Sequence, residues 1–139
     1  MSSDGFNVRA VGRVESPLTE MESAPRQGDE GAPDAWIAFD PDVLDALEGI
    51  RPGDRIVILS WLDRADRNVL MVHPRGEISR PQAGVFVTRS HHRPNPIGLH
   101  PVEVLEVDGP RIKVAGLEAL NGTPVLDVKP VLEGEISER

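Results

Sequence analysis

The chain has 139 residues, a net charge of −8 and no cysteine. That length suits one domain with a real core rather than two. The missing cysteine excludes disulfides, thiol catalysis and thiolate metal sites, and the acidic balance argues against a generic polyanion binder. No apolar run is long enough to span a bilayer. The opening MSSDGFNVRA lacks the basic start and apolar core of a signal peptide. A soluble cytoplasmic protein without a membrane partner is the expectation.

Asn7 to Val14 reads as a first strand, ended by Ser16–Pro17. Thr19 to Asp34 is rich in Pro, Gly and acids, which reads as a loop or flexible segment. Trp36 to Phe39 is a short strand. Asp40–Pro41 opens one short helix, with Asp40 as N-cap and Pro41 at the first position. Val43, Leu44 and Leu47 form its apolar stripe and Gly49 closes it. Arg55 to Leu62, RIVILSWL, is a buried strand, and Val69 to Val72 is the next. Val85 to Thr88 is expected as a strand leading into a polar loop. Pro101–Val107 and Arg111–Leu117 form a hairpin across Asp108–Gly109–Pro110. Val125 to Val128 is the last strand, and the tail from about residue 133 is expected to be loose. Strands without alternating helices, and no G-x-G-x-x-G, indicate an all-β fold. The expected architecture is a single domain over 1–139, a small β-barrel of about seven or eight strands with one short helix.

Two stretches stand out: Gly84 to Leu99, GVFVTRSHHRPNPIGL, and Asn121 to Pro130, NGTPVLDVKP. In the first, Pro94 and Pro96 fix their own φ and push Arg93 and Asn95 toward extended geometry. Arg89 and Arg93 sit in that stiffened frame, which suits a ligand-holding loop as well as a rigid connection. Charge points the same way. Residues 1–48 hold 11 acids and 3 bases, whereas Arg64 to Arg93 holds six arginines against Asp66 and Glu77. One basic segment in an acidic chain suits a local anion site. His91–His92 cannot easily share a metal ion, because neighbours on an extended segment point opposite ways. No metal site is expected.

The paired motifs T-R-S-x-x-R-P-N-P-I-G-L and N-G-T-P-V-L-D-V-K-P resemble those of the TrmO (TsaA-like) family of S-adenosylmethionine-dependent tRNA methyltransferases. The likeness extends from Val8 to about Leu132. It implies a β-barrel methyltransferase, a homodimer, S-adenosyl-L-methionine as cofactor and tRNA as partner. The implied reaction is N6 methylation of N6-threonylcarbamoyl-adenosine next to the anticodon. Carried over by position, Pro25, Arg26, Gln27, Arg89, Leu99, Leu120, Asn121, Gly122 and Thr123 form the cofactor site. Arg93, Asn95 and Gly98 shape the loop.

The residue inventory suits such a cofactor. Arg89 or Arg26 can take a carboxylate through two parallel hydrogen bonds. Methyl transfer is an in-line displacement that needs alignment and exclusion of water more than a strong base. Asp127, or a loop histidine, can accept the proton from an attacking nitrogen; Asp127 is equally readable as a structural partner of Lys129. Arg93 is the other catalytic candidate. The chain departs from the family pattern at Asn121, at Pro52–Gly53–Asp54 and at His91–His92, and it has no tyrosine. Base recognition often stacks on aromatics, so a small-molecule methyltransferase or a non-catalytic cofactor-binding module are the alternatives.

Overall fold

A computed structural model describes residues 5–19 and 31–132. Six strands close a barrel: β1 (Gly12–Glu15), β2 (Ala35–Phe39), β3 (Arg55–Trp61), β6 (Ile97–Asp108), β7 (Arg111–Val114) and β8 (Pro124–Pro130). Their order around the barrel is β1-β2-β7-β6-β3-β8, with every pairing antiparallel. The two remaining strands, β4 (Met71–Val72) and β5 (Ala83–Gly84), pair only with each other in a separate ribbon. The all-β class agrees with the sequence reading; among the described residues the barrel itself takes six strands rather than seven or eight, the other two forming the ribbon. Among the described residues no helix is long and apolar enough to cross a membrane.

Alternation explains the closure. In β3 the residues Ile56, Ile58 and Ser60 are buried, while the intervening positions are partly exposed. β2 buries Ala35, Ile37 and Phe39 in the same rhythm, and β7 buries Ile112 and Val114. A period of two sends these side chains to one face, and closure turns that face inward. The core is aliphatic, with Ile37, Ile58, Ile112, Val104 and Val125 all fully buried. A register shift between Leu59 and Ser60 pairs Leu59 with Asp127 and Ser60 with Val125. The extra residue in β8, Leu126, lets Val125 point inward while Asp127 stays outside.

Local features differ from expectation in three places. Ordered β1 pairing starts at Gly12 rather than Asn7. The helix after Asp40 is a seven-residue 3-10 helix, Pro41–Leu47, and Asp40 makes no side-chain capping bond. With only Leu47 buried, tertiary packing gives that segment little reason to extend into a full helix. The expected strand at Val85–Thr88 is instead a 3-10 turn, Val85–Val87. Only Val85 is buried, Phe86 and Val87 are largely exposed, and the Thr88 hydroxyl donates to the Val85 carbonyl at 2.9 Å. An apolar tripeptide at a surface thus follows its local hydrogen bonds rather than its β propensity.

The core sets the first prediction. Ile58→Ala empties a fully buried site on the strand with two long ladders. It should cost roughly 2–5 kcal/mol in urea unfolding.

Candidate functional site

Register brings the singled-out segments to one mouth of the barrel. Trp61 at the end of β3 pairs with Ile97 at the start of β6, so the loop 88–96 opens there. Ser60 pairs with Val125 near the start of β8, which places the turn before Pro124 at the same mouth. Glu15 and Ala35 bound the connection from β1 to β2 and also lie at this end, since Ala35 faces Val114 and Glu15 faces Trp36. That connection contains Pro25, Arg26 and Gln27, which lie outside the described residues.

The loop is braced from within and from below. Arg93 donates to the carbonyls of Thr88 at 3.2 Å and Ser90 at 2.9 Å, and its guanidinium lies 5.9 Å from the Phe86 ring centre. Arg67 donates to the Pro94 carbonyl at 2.6 Å and to Asn95 Oδ1 at 2.9 Å, while stacking 5.1 Å from the Trp61 ring centre. Arg64 reaches the Thr19 carbonyl at 3.2 Å. His92 Nδ1 accepts the Asp66 amide at 2.9 Å. Several arginines of the basic segment therefore serve as staples of the mouth. Arg89 stands exposed on the loop, and the loop's internal bonds run through Thr88, Ser90 and Arg93 instead. Among the described residues of the loop its guanidinium is open to an anion.

The second segment is fixed against β1. Gly122 donates to the Val14 carbonyl, Val14 to the Thr123 carbonyl and Asn121 to the Leu18 carbonyl. Asn121 Oδ1 accepts the Ser16 amide at 3.0 Å, and Arg13 donates to the Gly122 carbonyl at 3.1 Å. Asn121 thus uses its amide oxygen in the turn. Gly122 has φ 85, a conformation other residues adopt at a cost. Thr123 is buried, Leu120 half-buried, and Leu99 points outward from β6 beside Leu59.

Asp127 sits apart from this assembly. It lies on the outer face of β8, with Oδ1 accepting the Val128 amide at 2.9 Å and Oδ2 3.4 Å from Lys129 Nζ. Leu126 to Val128 also line an apolar groove at the other mouth, with Phe39, Leu47 and Ile56. His91 belongs to the site mouth. Partial desolvation, then the nearby His100 and His92, lower its pKa against a smaller opposing pull from Glu118. The shift favours its neutral imidazole over the charged form. Among the described residues no three His, Asp or Glu side chains gather as metal ligands.

The tRNA-methyltransferase O N-terminal domain family matches residues 13–134. The chain belongs to this family. A "Probable S-adenosyl-L-methionine-binding protein" of Methanothermobacter thermautotrophicus is 45% identical over 133 residues, 96% of this chain and 95% of its own. An "S-adenosyl-L-methionine-binding protein" of Archaeoglobus fulgidus is 44% identical over 122 residues, covering 88% and 86%. The crystal structure of TrmO from Pseudomonas aeruginosa superposes with a TM-score of 0.75 at 29% identity, over 92% of this chain. This chain spans 56% of that one, so it matches little more than half of the solved TrmO chain.

Sequence reasoning passed over Ser60 and Glu118, and it counted Arg67 toward an anion site rather than as a brace of the loop. Ser60 and His100 interrupt otherwise apolar alternations in β3 and β6, which is the signal that could have exposed them. Gly98 was legible as a loop glycine, but its reason lies across the sheet. A Cβ there would stand 2.4 Å from Ser60 Oγ and 2.7 Å from His100 Nε2. Gly98→Ala should therefore destabilise the barrel by about 1–3 kcal/mol in denaturant titration, as overpacking does.

His91 has a pH signature. The folded residue binds its proton less tightly than the unfolded one, whose ordinary value is 6.5. On acidification the unfolded chain then takes up more protons, and stability falls as pH drops through that value. The urea midpoint of His91→Asn should fall less between about pH 7.5 and about pH 5 than that of the parent.

Proposed function

We propose that this protein is an S-adenosylmethionine-dependent methyltransferase that acts on tRNA in the cytoplasm, at N6 of N6-threonylcarbamoyl-adenosine. The observation that carries the proposal is the convergence at one barrel mouth of the Arg89–Asn95 loop and the Leu120–Thr123 turn, in a chain of the tRNA-methyltransferase O N-terminal domain family. The residues present fit the cofactor. Arg89 offers an exposed guanidinium to a carboxylate. The Leu120–Thr123 turn lets a planar ring approach backbone at Gly122, and Leu99 and Leu120 supply apolar surface. Pro25, Arg26 and Gln27 complete the proposed cofactor set.

Bound there, S-adenosylmethionine supplies a methyl group already activated by a sulfonium. What the chain must add is alignment and dryness. The double staple on Arg67 and the internal bonds of Arg93 hold the loop in one shape. Arg93 thereby acts by positioning. His91, its neutral form favoured at the mouth, is preferred over Asp127 as acceptor of the proton released from nitrogen, because Asp127 is engaged on the outer wall.

We further propose a homodimer. The ribbon end presents Leu70, Met71, Phe86 and Val87, all exposed and joined through the Val85 amide to Leu70 carbonyl bond. An apolar patch of this kind suits a partner surface. Sedimentation at micromolar concentration should show dimers, and Phe86→Glu with Val87→Glu should shift them to monomers.

A binding module without catalysis is the second reading, favoured by the names of relatives that specify cofactor binding alone. Two measurements separate them. Calorimetry with S-adenosylmethionine should show binding that Arg89→Ala weakens by roughly 1.5–3 kcal/mol, the size of a lost charge-assisted bond. Radiolabelled methyl transfer to tRNA from cells unable to make the modification should proceed with the parent protein. Binding without transfer would leave the module reading standing.

A further inference from the structure

Just inside the site mouth, three side chains form a hydrogen-bonded row. Ser60 Oγ lies 2.7 Å from His100 Nε2, and His100 Nδ1 lies 2.6 Å from Glu118 Oε1. Ser60 is fully buried and the His100 side chain is 5% exposed, while that of Glu118 is 12% exposed. Serine, histidine and carboxylate in this order resemble a nucleophilic triad. Ser60 nevertheless points into the barrel, where no substrate can reach its hydroxyl. The row must serve another purpose.

Two of its members, Glu118 and His100, flank the two segments proposed as the cofactor site. Glu118 stands two residues before the Leu120–Thr123 turn. His100 stands on β6, four residues after Pro96, and Gly98 between them lies directly against the Ser60–His100 pair. An ionised carboxylate only accepts, so Nδ1 must donate to Glu118. In the neutral ring Nε2 is then the acceptor for the Ser60 hydroxyl. In that tautomer the row runs one way, from Ser60 through His100 to Glu118, and among the described residues no buried side-chain polar atom is left without a partner. Such fully satisfied buried networks fix a unique arrangement more than they add stability.

We propose that Glu118, His100 and Ser60 are positioning residues that lock the Leu120–Thr123 turn to the Arg89–Asn95 loop through the barrel interior. This inference rests on the cofactor reading above. With the row intact, the two halves of the site keep a single spacing. Without Glu118, the 115–123 segment retains its backbone bonds to Pro33, to β1 and, through the Ala115 amide, to Glu103 on β6, but loses its side-chain tie to His100 and through it to Ser60.

The test combines calorimetry with nitrogen-15 spectra of the histidine rings in the full chain. At neutral pH the His100 ring should appear as the Nδ1–H tautomer in the parent and in Glu118→Gln, whose amide oxygen can still accept. Glu118→Ala should lose that signature and bind S-adenosylmethionine at least tenfold more weakly, with Glu118→Gln within about threefold of the parent. Ser60→Ala, which leaves the Glu118 bond in place, should fall between them and serves if Glu118→Ala does not fold. An Nε2–H tautomer in the parent overturns the inference. So does parent-like affinity in both Glu118→Ala and Ser60→Ala, or an equal loss in Glu118→Gln and Glu118→Ala. A parent protein that binds no S-adenosylmethionine overturns the cofactor reading itself, and with it the purpose assigned to the row, whatever the tautomer.

Discussion

The seam between β1 and β8 is only two residue pairs long, Gly12 with Val125 and Arg13 with Pro124. It joins residues more than a hundred positions apart in sequence, so chain entropy works against it. The bonds that extend the seam come from the Leu120–Thr123 turn, through Val14, Arg13, Ser16 and Leu18. Barrel closure and the candidate cofactor turn are therefore one set of contacts. Anything that binds the turn braces the seam, and anything that opens the seam dissolves half the site. A ligand bound there stabilises the closed barrel by mass action.

Electrostatics at the mouth follow from the same economy of parts. An acidic chain of this size could display its arginines freely, but several here are engaged with protein. Arg64, Arg67 and Arg93 satisfy backbone carbonyls, and Arg111 stacks 4.4 Å from the Trp36 ring centre while pairing with Glu15 at 2.7 Å. These contacts are exposed or half-exposed, so their worth lies in orientation more than in energy. They also leave Arg89 distinct on its loop. A site that needs one free guanidinium is better served by stapled neighbours than by a cluster of competing ones.

Much of this was legible in the sequence where period and punctuation agreed. The aliphatic run of Arg55–Leu62, the Asp108–Gly109–Pro110 hairpin and the Asn121–Gly122 pair each carry a local reason that the fold respects. The Val85–Val87 turn was misread because an apolar tripeptide looks the same in a strand and in a surface turn. Only burial separates the two, and burial depends on the whole chain. Ser60 and Glu118 escaped for a related reason. Their partner His100 lies 40 residues from one and 18 from the other, and only the barrel register brings them together. Arg67 counted toward the anion site because charge can be counted in sequence, whereas the carbonyl of Pro94 cannot be seen there.

Gly98 carries a consequence for how sequences of this type can diverge. The space its missing side chain leaves is filled by the oxygen of Ser60 and the ring of His100. A methyl group at 98 is therefore compatible with the fold only when residue 60 or residue 100 becomes smaller. The three positions should drift as a unit: a relative that keeps both polar partners is bound to glycine, and one that has lost the imidazole is free of it. The glycine of the R-P-N-P-I-G motif then reads as a record of what lies across the sheet, as much as of the loop it follows.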